Sequence, residues 1–205
     1  RFVKEFIRYL NPVVESYKVV ALQNEHQLLR LSEGIEKPKY SSMLVRMQSF
    51  TKSFSEELRE VLKGQTDLKN MQYDFNGLTQ RPVLLAMMSD LEKLTQLTKL
   101  SVQFDSALCN DQTIKESCAI ISRLNLTELT LNLNVPNLLF SRNRSFREKI
   151  SRVVNVTPIT DDSFNEIKKL LVKLKSLKAF KLYSEDARQL TDKCLKYLSE
   201  AFNDA

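Results

Sequence analysis

Residues 97–104 read Leu97-Thr98-Lys99-Leu100-Ser101-Val102-Gln103-Phe104, and residues 126–133 read Leu126-Thr127-Glu128-Leu129-Thr130-Leu131-Asn132-Leu133. Both follow the pattern L-x-x-L-x-L-x-L with an apolar residue at every marked place. Over the last five residues of each the pattern alternates with a period of two, which is the signature of a strand with one buried face. The two segments start 29 residues apart. That interval is short enough for one strand plus one helix, and it marks a structural repeat.

Working outward, Leu68, Met71, Tyr73 and Phe75 repeat the pattern 29 residues before Leu97. Tyr40, Met43, Val45 and Met47 repeat it 28 residues before Leu68, and Val14, Tyr17, Val19 and Ala21 a further 26 before that. In the other direction, Leu177, Phe180 and Leu182 lie 51 residues beyond Leu126. That gap is too long for one unit and suits two short ones, so a degenerate strand is expected over Ile150–Val156. In all, about seven strand–helix units are expected.

Between the strands the apolar period changes to about 3.6, which predicts helices. Phe164, Ile167, Leu170, Leu171 and Leu174 form one such face. Ser163 and Glu166 are spaced as a capping box at its start. Lys168, Lys169, Lys173 and Lys175 crowd its later turns, where cations suit the helix dipole. A second helix runs through Ile114, Cys118, Ile121 and Leu124 after Asn110-Asp111. A third runs through Leu195, Leu198 and Phe202 after Thr191-Asp192. One strand and one helix cannot bury their apolar faces alone, so the units are expected to stack with right-handed crossovers.

The phrases LTKLSVQF and LTELTLNL, each followed by a helix and spaced near 29, resemble the ribonuclease-inhibitor-like class of leucine-rich repeats. LEKLTQLTKLSVQF and LTELTLNLN also resemble the leucine-rich repeats expanded in ciliates, and the Lys- and Asn-rich, glycine-poor composition fits that likeness. The asparagine that usually ends the strand turn in this class is not regular here. The resemblance implies an α/β leucine-rich-repeat solenoid with repeats of about 24–29 residues. A parallel sheet would line its concave side and helices its convex side. We expect one array over 1–205, less regular over 1–67 and clearer over 68–205, with a basic insertion near 136–149. Arg1 falls within an amphipathic stretch (Phe2, Phe6, Tyr9, Leu10), which reads as a segment of a longer chain or a processed product.

Several function classes are disfavoured. The three glycines, Gly34, Gly64 and Gly77, are too isolated to build a phosphate-binding loop. Cys109, Cys118 and Cys194 have no metal-ligand spacing and do not form an even disulfide set. Cys118 and Cys194 fall on apolar helix faces, as small packed hydrophobes do. The single histidine, His26, has no nucleophile paired with it by motif. Asp161-Asp162 and Glu185-Asp186 precede helices, where capping accounts for them. No enzyme activity, cofactor or metal is therefore expected, and neither a membrane span nor a small-molecule substrate.

Two surfaces are the candidates for binding. The first is the strand row between the apolar positions: Asn70, Gln72, Asp74, Lys99, Ser101, Gln103, Glu128, Thr130, Asn132, then Ala179, Lys181 and Tyr183. In a period of two they face the concave side, either as a solvated sheet or as a docking surface. Val20 and Leu44 are expected to extend that side as an apolar patch. The second is the basic run Arg142, Arg144, Arg147, Lys149 and Arg152, with Phe140 and Phe146 interleaved. It reads as a solvated insertion, with phosphate or acidic-tail binding as the alternative. The net charge of +6 favours acidic partners only mildly.

The expected function is a non-enzymatic protein-binding scaffold or subunit of a larger assembly. Its expected place is cytoplasmic or cytoskeletal, including the cilium. The alternatives are a ribonucleoprotein component binding nucleic acid through the basic run, or a regulatory module of a GTPase or ubiquitin-ligase system. The last follows from the resemblance alone.

Overall fold

In the computed structural model the described residues are 19–22, 40–47, 52–75, 80–104, 110–133, 159–184 and 190–204. In chain order they form β1 (Val19–Leu22), β2 (Ser42–Met47), α1 (Lys52–Leu62), β3 (Asn70–Phe75), α2 (Arg81–Asp90) and β4 (Lys99–Gln103). Then come α3 (Asp111–Ile121), β5 (Glu128–Asn132), α4 (Asp161–Lys173), β6 (Ala179–Tyr183) and α5 (Asp192–Asp204). The chain is an α/β protein in which strands alternate with helices. The six strands make one sheet in sequence order, every pair parallel.

The register joins like to like. Met71, Leu100, Leu129 and Phe180 stand side by side, as do Tyr73, Val102, Leu131 and Leu182. The first three of each row are no more than 2% exposed. They merge with helix residues such as Leu84, Met88, Ile114, Ile121, Ile167 and Leu171 into one apolar core. Successive helices pack on one another, so the helices form one layer on this side of the sheet. Full burial of each such side chain contributes roughly 1.5–3 kcal/mol.

A backbone device recurs just before the strands from β2 to β6. The carbonyl of Ser41 accepts from the N–H groups of Lys69 and Asn70, and that of Lys69 from Thr98 and Lys99. Thr98 accepts in turn from Thr127 and Glu128, and Thr127 from Lys178 and Ala179. The turns before the strands, like the strands themselves, are thus stacked equivalently.

The structure corrects four sequence expectations. β5 pairs directly with β6, so across the 51-residue interval no further strand of the sheet stands between them. The stretch Ile150–Val156 lies outside the described residues, and the sheet leaves no place for a strand between its neighbours. Second, β1 is phased one residue away from expectation. Val20 stands in register with Met43 and Ala21 with Leu44. Third, α4 begins at Asp161, with Thr160 as its cap accepting from the Asp162 N–H at 3.2 Å. Ser163 is buried inside the first turn, where its hydroxyl donates to Asp111 at 2.5 Å. Both hydroxyls suit the cap, and a carboxylate from the preceding helix decides between them. Fourth, the expected second helix ends at Ile121, before Leu124.

α1 and α2 were not singled out in the sequence, although Pro82 at the start of α2 suits a first helical turn. The α3 cap is as expected, with Asn110 Oδ1 accepting from the Thr113 N–H at 3.0 Å. Cys118 and Cys194 are buried free thiols, and desolvation pushes Cys118 up to about 12. Cys109, His26, the first two strand positions of the earliest repeat (Val14, Tyr17) and Glu185-Asp186 lie outside the described residues.

Successive helix starts are tied by a carboxylate relay. Asp111, first residue of α3, accepts from the Thr160 N–H at 2.9 Å and the Thr160 hydroxyl at 2.7 Å. Asp161, first residue of α4, accepts from the Thr191 N–H at 3.0 Å and the Thr191 hydroxyl at 2.6 Å. Desolvation raises the Asp111 carboxyl, but the hydrogen bonds from Ser163 and Thr160 outweigh it and hold the group below its ordinary value of 3.8. The Thr191 hydroxyl and N–H lower Asp161 likewise.

A depressed folded value gives stability that is present above the ordinary carboxylate range and disappears as pH falls through the lowered value. The melting temperature of Asp111→Ala should therefore lie below that of wild type at pH 7. The gap should narrow once the pH drops below about 4. Melting curves across pH 7 to 2 check this, and a gap that stays constant to pH 2 would remove the relay from the stability account.

Candidate functional site

The sheet residues facing away from the helices form three tiers. The first holds Ser42, Asn70, Lys99, Glu128 and Ala179; the second Leu44, Gln72, Ser101, Thr130 and Lys181; the third Arg46, Asp74, Gln103, Asn132 and Tyr183. Parallel pairing makes each tier a line across neighbouring strands, so every expected row residue falls on this face. The first two tiers, from β2 to β5, line a groove of about 470 Å³ that also takes in Met43, Met71 and Leu100; Ala179 and Lys181 of β6 lie outside its lining.

The outer tiers are largely paired within themselves. In the first, Asn70 Nδ2 donates to Ser42 Oγ at 2.7 Å, and Lys99 Nζ meets Glu128 Oε1 at 2.6 Å. In the third, Arg46 Nε meets Asp74 Oδ2 at 2.5 Å, and Asn132 Nδ2 donates to Gln103 Oε1 at 3.3 Å. No side-chain hydrogen bond or ion pair is formed in the middle tier by Gln72, Ser101, Thr130 or Lys181 among the described residues. Gln72 and Lys181 are exposed, Ser101 and Thr130 half-buried. The middle tier therefore holds four polar side chains without a partner between two largely paired borders, in which Asn70 Oδ1 and Asp74 Oδ1 are buried without one.

Asp74 departs from the expected accessible row. Its side chain is 2% exposed beneath a half-exposed Arg46, and its Oδ1 has no hydrogen-bond partner. It lies beneath Arg46 and pairs with it, and the two-residue period gives no sign of this burial. Tyr183 is 50% exposed at the far edge. Leu44 is half-buried beside Gln72 and contributes the apolar part of the groove. The basic run Arg142, Arg144, Arg147, Lys149 and Arg152 lies outside the described residues.

A second groove, of about 250 Å³, runs between α3 and α4 and is lined by Asp111, Gln112, Lys115, Asp162, Asn165 and Glu166. Its chief carboxylate, Asp111, is already engaged by Thr160 and Ser163. Among the described residues no three of His, Cys, Asp and Glu stand close enough to hold a metal ion, and no helix is long and apolar enough to cross a membrane. The chain matches no family model, and no curated protein was found similar to it.

Proposed function

We propose that this chain is a leucine-rich-repeat solenoid serving as a protein-binding scaffold, with the partner docked on the open face of the sheet. The observation that carries this reading is the middle tier of Gln72, Ser101, Thr130 and Lys181. Its polar groups are free, it runs across four neighbouring strands, and Leu44 supplies an apolar end. An extended segment or helix laid across the strands meets all four residues at once, and repeat arrays commonly dock partners on their strand surface. No catalytic step is proposed, because the polar side chains of the groove include no nucleophile paired with a base. Cytoplasmic or cytoskeletal assemblies, including those of cilia, are the proposed setting.

The test is cross-linking mass spectrometry of the native complex, paired with a Gln72→Arg/Ser101→Arg variant. Cross-links should fall on the open face. The variant should lose about tenfold or more in partner recovery, as expected when central contacts are blocked. Its melting temperature should stay within about 2 °C of wild type, since the changes avoid the core. Cross-links confined to the helix layer, or partner recovery unchanged in the variant, would contradict the reading.

A further inference from the structure

The last unit of the array carries the same surface chemistry as the units before it, but among the described residues no further strand or helix packs on it. Aligned on their caps, Thr160 and Thr191, α4 and α5 match position for position. Ile167 corresponds to Leu198, Phe164 to Leu195, and Leu171 to Phe202. Phe164 and Leu171 are each 3% exposed, whereas Leu195 is 65% and Phe202 63% exposed. The strands repeat the contrast. Leu129 and Leu131 of β5 are both 1% exposed, while their partners in register, Phe180 and Leu182 of β6, are only half-buried.

The polar relay breaks off at the same face. Asp111 receives Thr160 and Asp161 receives Thr191, each pair an N–H and a hydroxyl. Asp192 holds the equivalent first position of α5, is exposed, and accepts no such bond among the described residues. Lys178 holds the place of Ser41, Lys69, Thr98 and Thr127 before its strand. Its carbonyl accepts no turn bond among the described residues, whereas each of theirs accepts two.

A terminal repeat that ends an array needs a polar outer face to stay in solution. This one offers instead two apolar strand positions, two exposed apolar helix positions, an unused carboxylate and an unused carbonyl. Each matches what the preceding unit presents to its successor. We propose that the β6–α5 face is a stacking interface whose occupant is one further strand–helix repeat continuing from α5. That repeat enters as a parallel strand beside Phe180 and Leu182. Its helix opens with a hydroxyl-bearing cap, Thr or Ser, that donates to Asp192. The inference concerns the edge of the array and stands whether or not the open sheet face binds a partner.

The experiment fuses a second copy of residues 174–204 directly after Asp204. That unit brings its own strand, its own helix and its own Thr191-type cap. The fused chain should unfold in a single cooperative transition, with a melting temperature about 5 °C or more above the 205-residue chain. Asp192→Ala should leave the 205-residue chain unchanged and lower the melting temperature of the fused chain. A fused unit that melts separately, or Asp192→Ala with the same effect in both contexts, would overturn the proposal. Sedimentation equilibrium of the 205-residue chain supplies the remaining arm. Association abolished by Phe202→Asp would make a second copy the occupant and would likewise overturn it, while a monomer agrees with it.

Discussion

Replacing Phe104 by alanine should lower stability by about 3–5 kcal/mol, the usual range for removing a fully buried phenylalanine from a packed core. Phe104 is 1% exposed and follows β4 directly, where its N–H donates to the Asn132 carbonyl at 3.0 Å. Its backbone therefore joins two successive strands, and its side chain is part of the apolar core. If the chain is the stacked array proposed above, its stability comes mostly from interfaces between neighbours, and a cavity there weakens both flanking units. For a chain of this length the effect corresponds to a fall in melting temperature of roughly 10 °C. Lys99→Ala, five residues earlier on the opposite face, should change stability by no more than about 0.5–1 kcal/mol. Its ion pair with Glu128 is about half exposed on both sides and is screened by solvent. Urea titrations followed by circular dichroism measure both. Comparable losses at the two positions would mean that the strand does not separate a core side from a solvent side.

The second large effect is expected at Arg46→Ala, although Arg46 itself is exposed. The carboxylate it covers, Asp74, is almost wholly buried, and Oδ1 has no hydrogen-bond partner. Removing the guanidinium leaves a buried charge without compensation, which is strongly destabilising, by about 3 kcal/mol. Most of that loss belongs to the stranded charge and not to the lost contact. The double variant Arg46→Ala/Asp74→Leu should therefore recover most of the stability, as apolar replacements of buried pairs commonly do. An Arg46→Ala variant as stable as wild type would show that Asp74 reaches water or another cation, and the third tier would need a different account.

The sequence carried most of the strand layer because its core-side residues repeat with a fixed spacing. Leu97, Leu100, Val102 and Phe104 announce the buried face, and the register places Met71, Leu129 and Phe180 beside Leu100 as the spacing implies. What escaped was whatever depends on a partner far along the chain. Thr160, not Ser163, caps α4 because Asp111, 49 residues away, engages Thr160 through both its N–H and its hydroxyl. Asp74 and Gln72 look alike in the alternation, yet Arg46 of the neighbouring strand claims only the first. The length of the last interval suggests an extra strand, whereas β5 and β6 pair directly.

The candidate face was legible for the same reason as the core, since a period of two assigns both sides at once. Its division into paired borders and an unpaired middle tier was not, because that depends on which side chains meet across strands. The weak first repeat shows the limit of spacing alone. With Val19, Val20, Ala21 and Leu22 all apolar, the sequence offers no alternation to set the phase, and only pairing with β2 does so.

The central claim is a single parallel sheet in sequence order, with β5 directly against β6. Cross-strand backbone nuclear Overhauser effects in the labelled protein test it most directly. The account predicts contacts linking Ser101 to Thr130 and Thr130 to Lys181, in parallel geometry. Contacts placing residues of 150–156 between Thr130 and Lys181, or an antiparallel pattern at either pair, would contradict it.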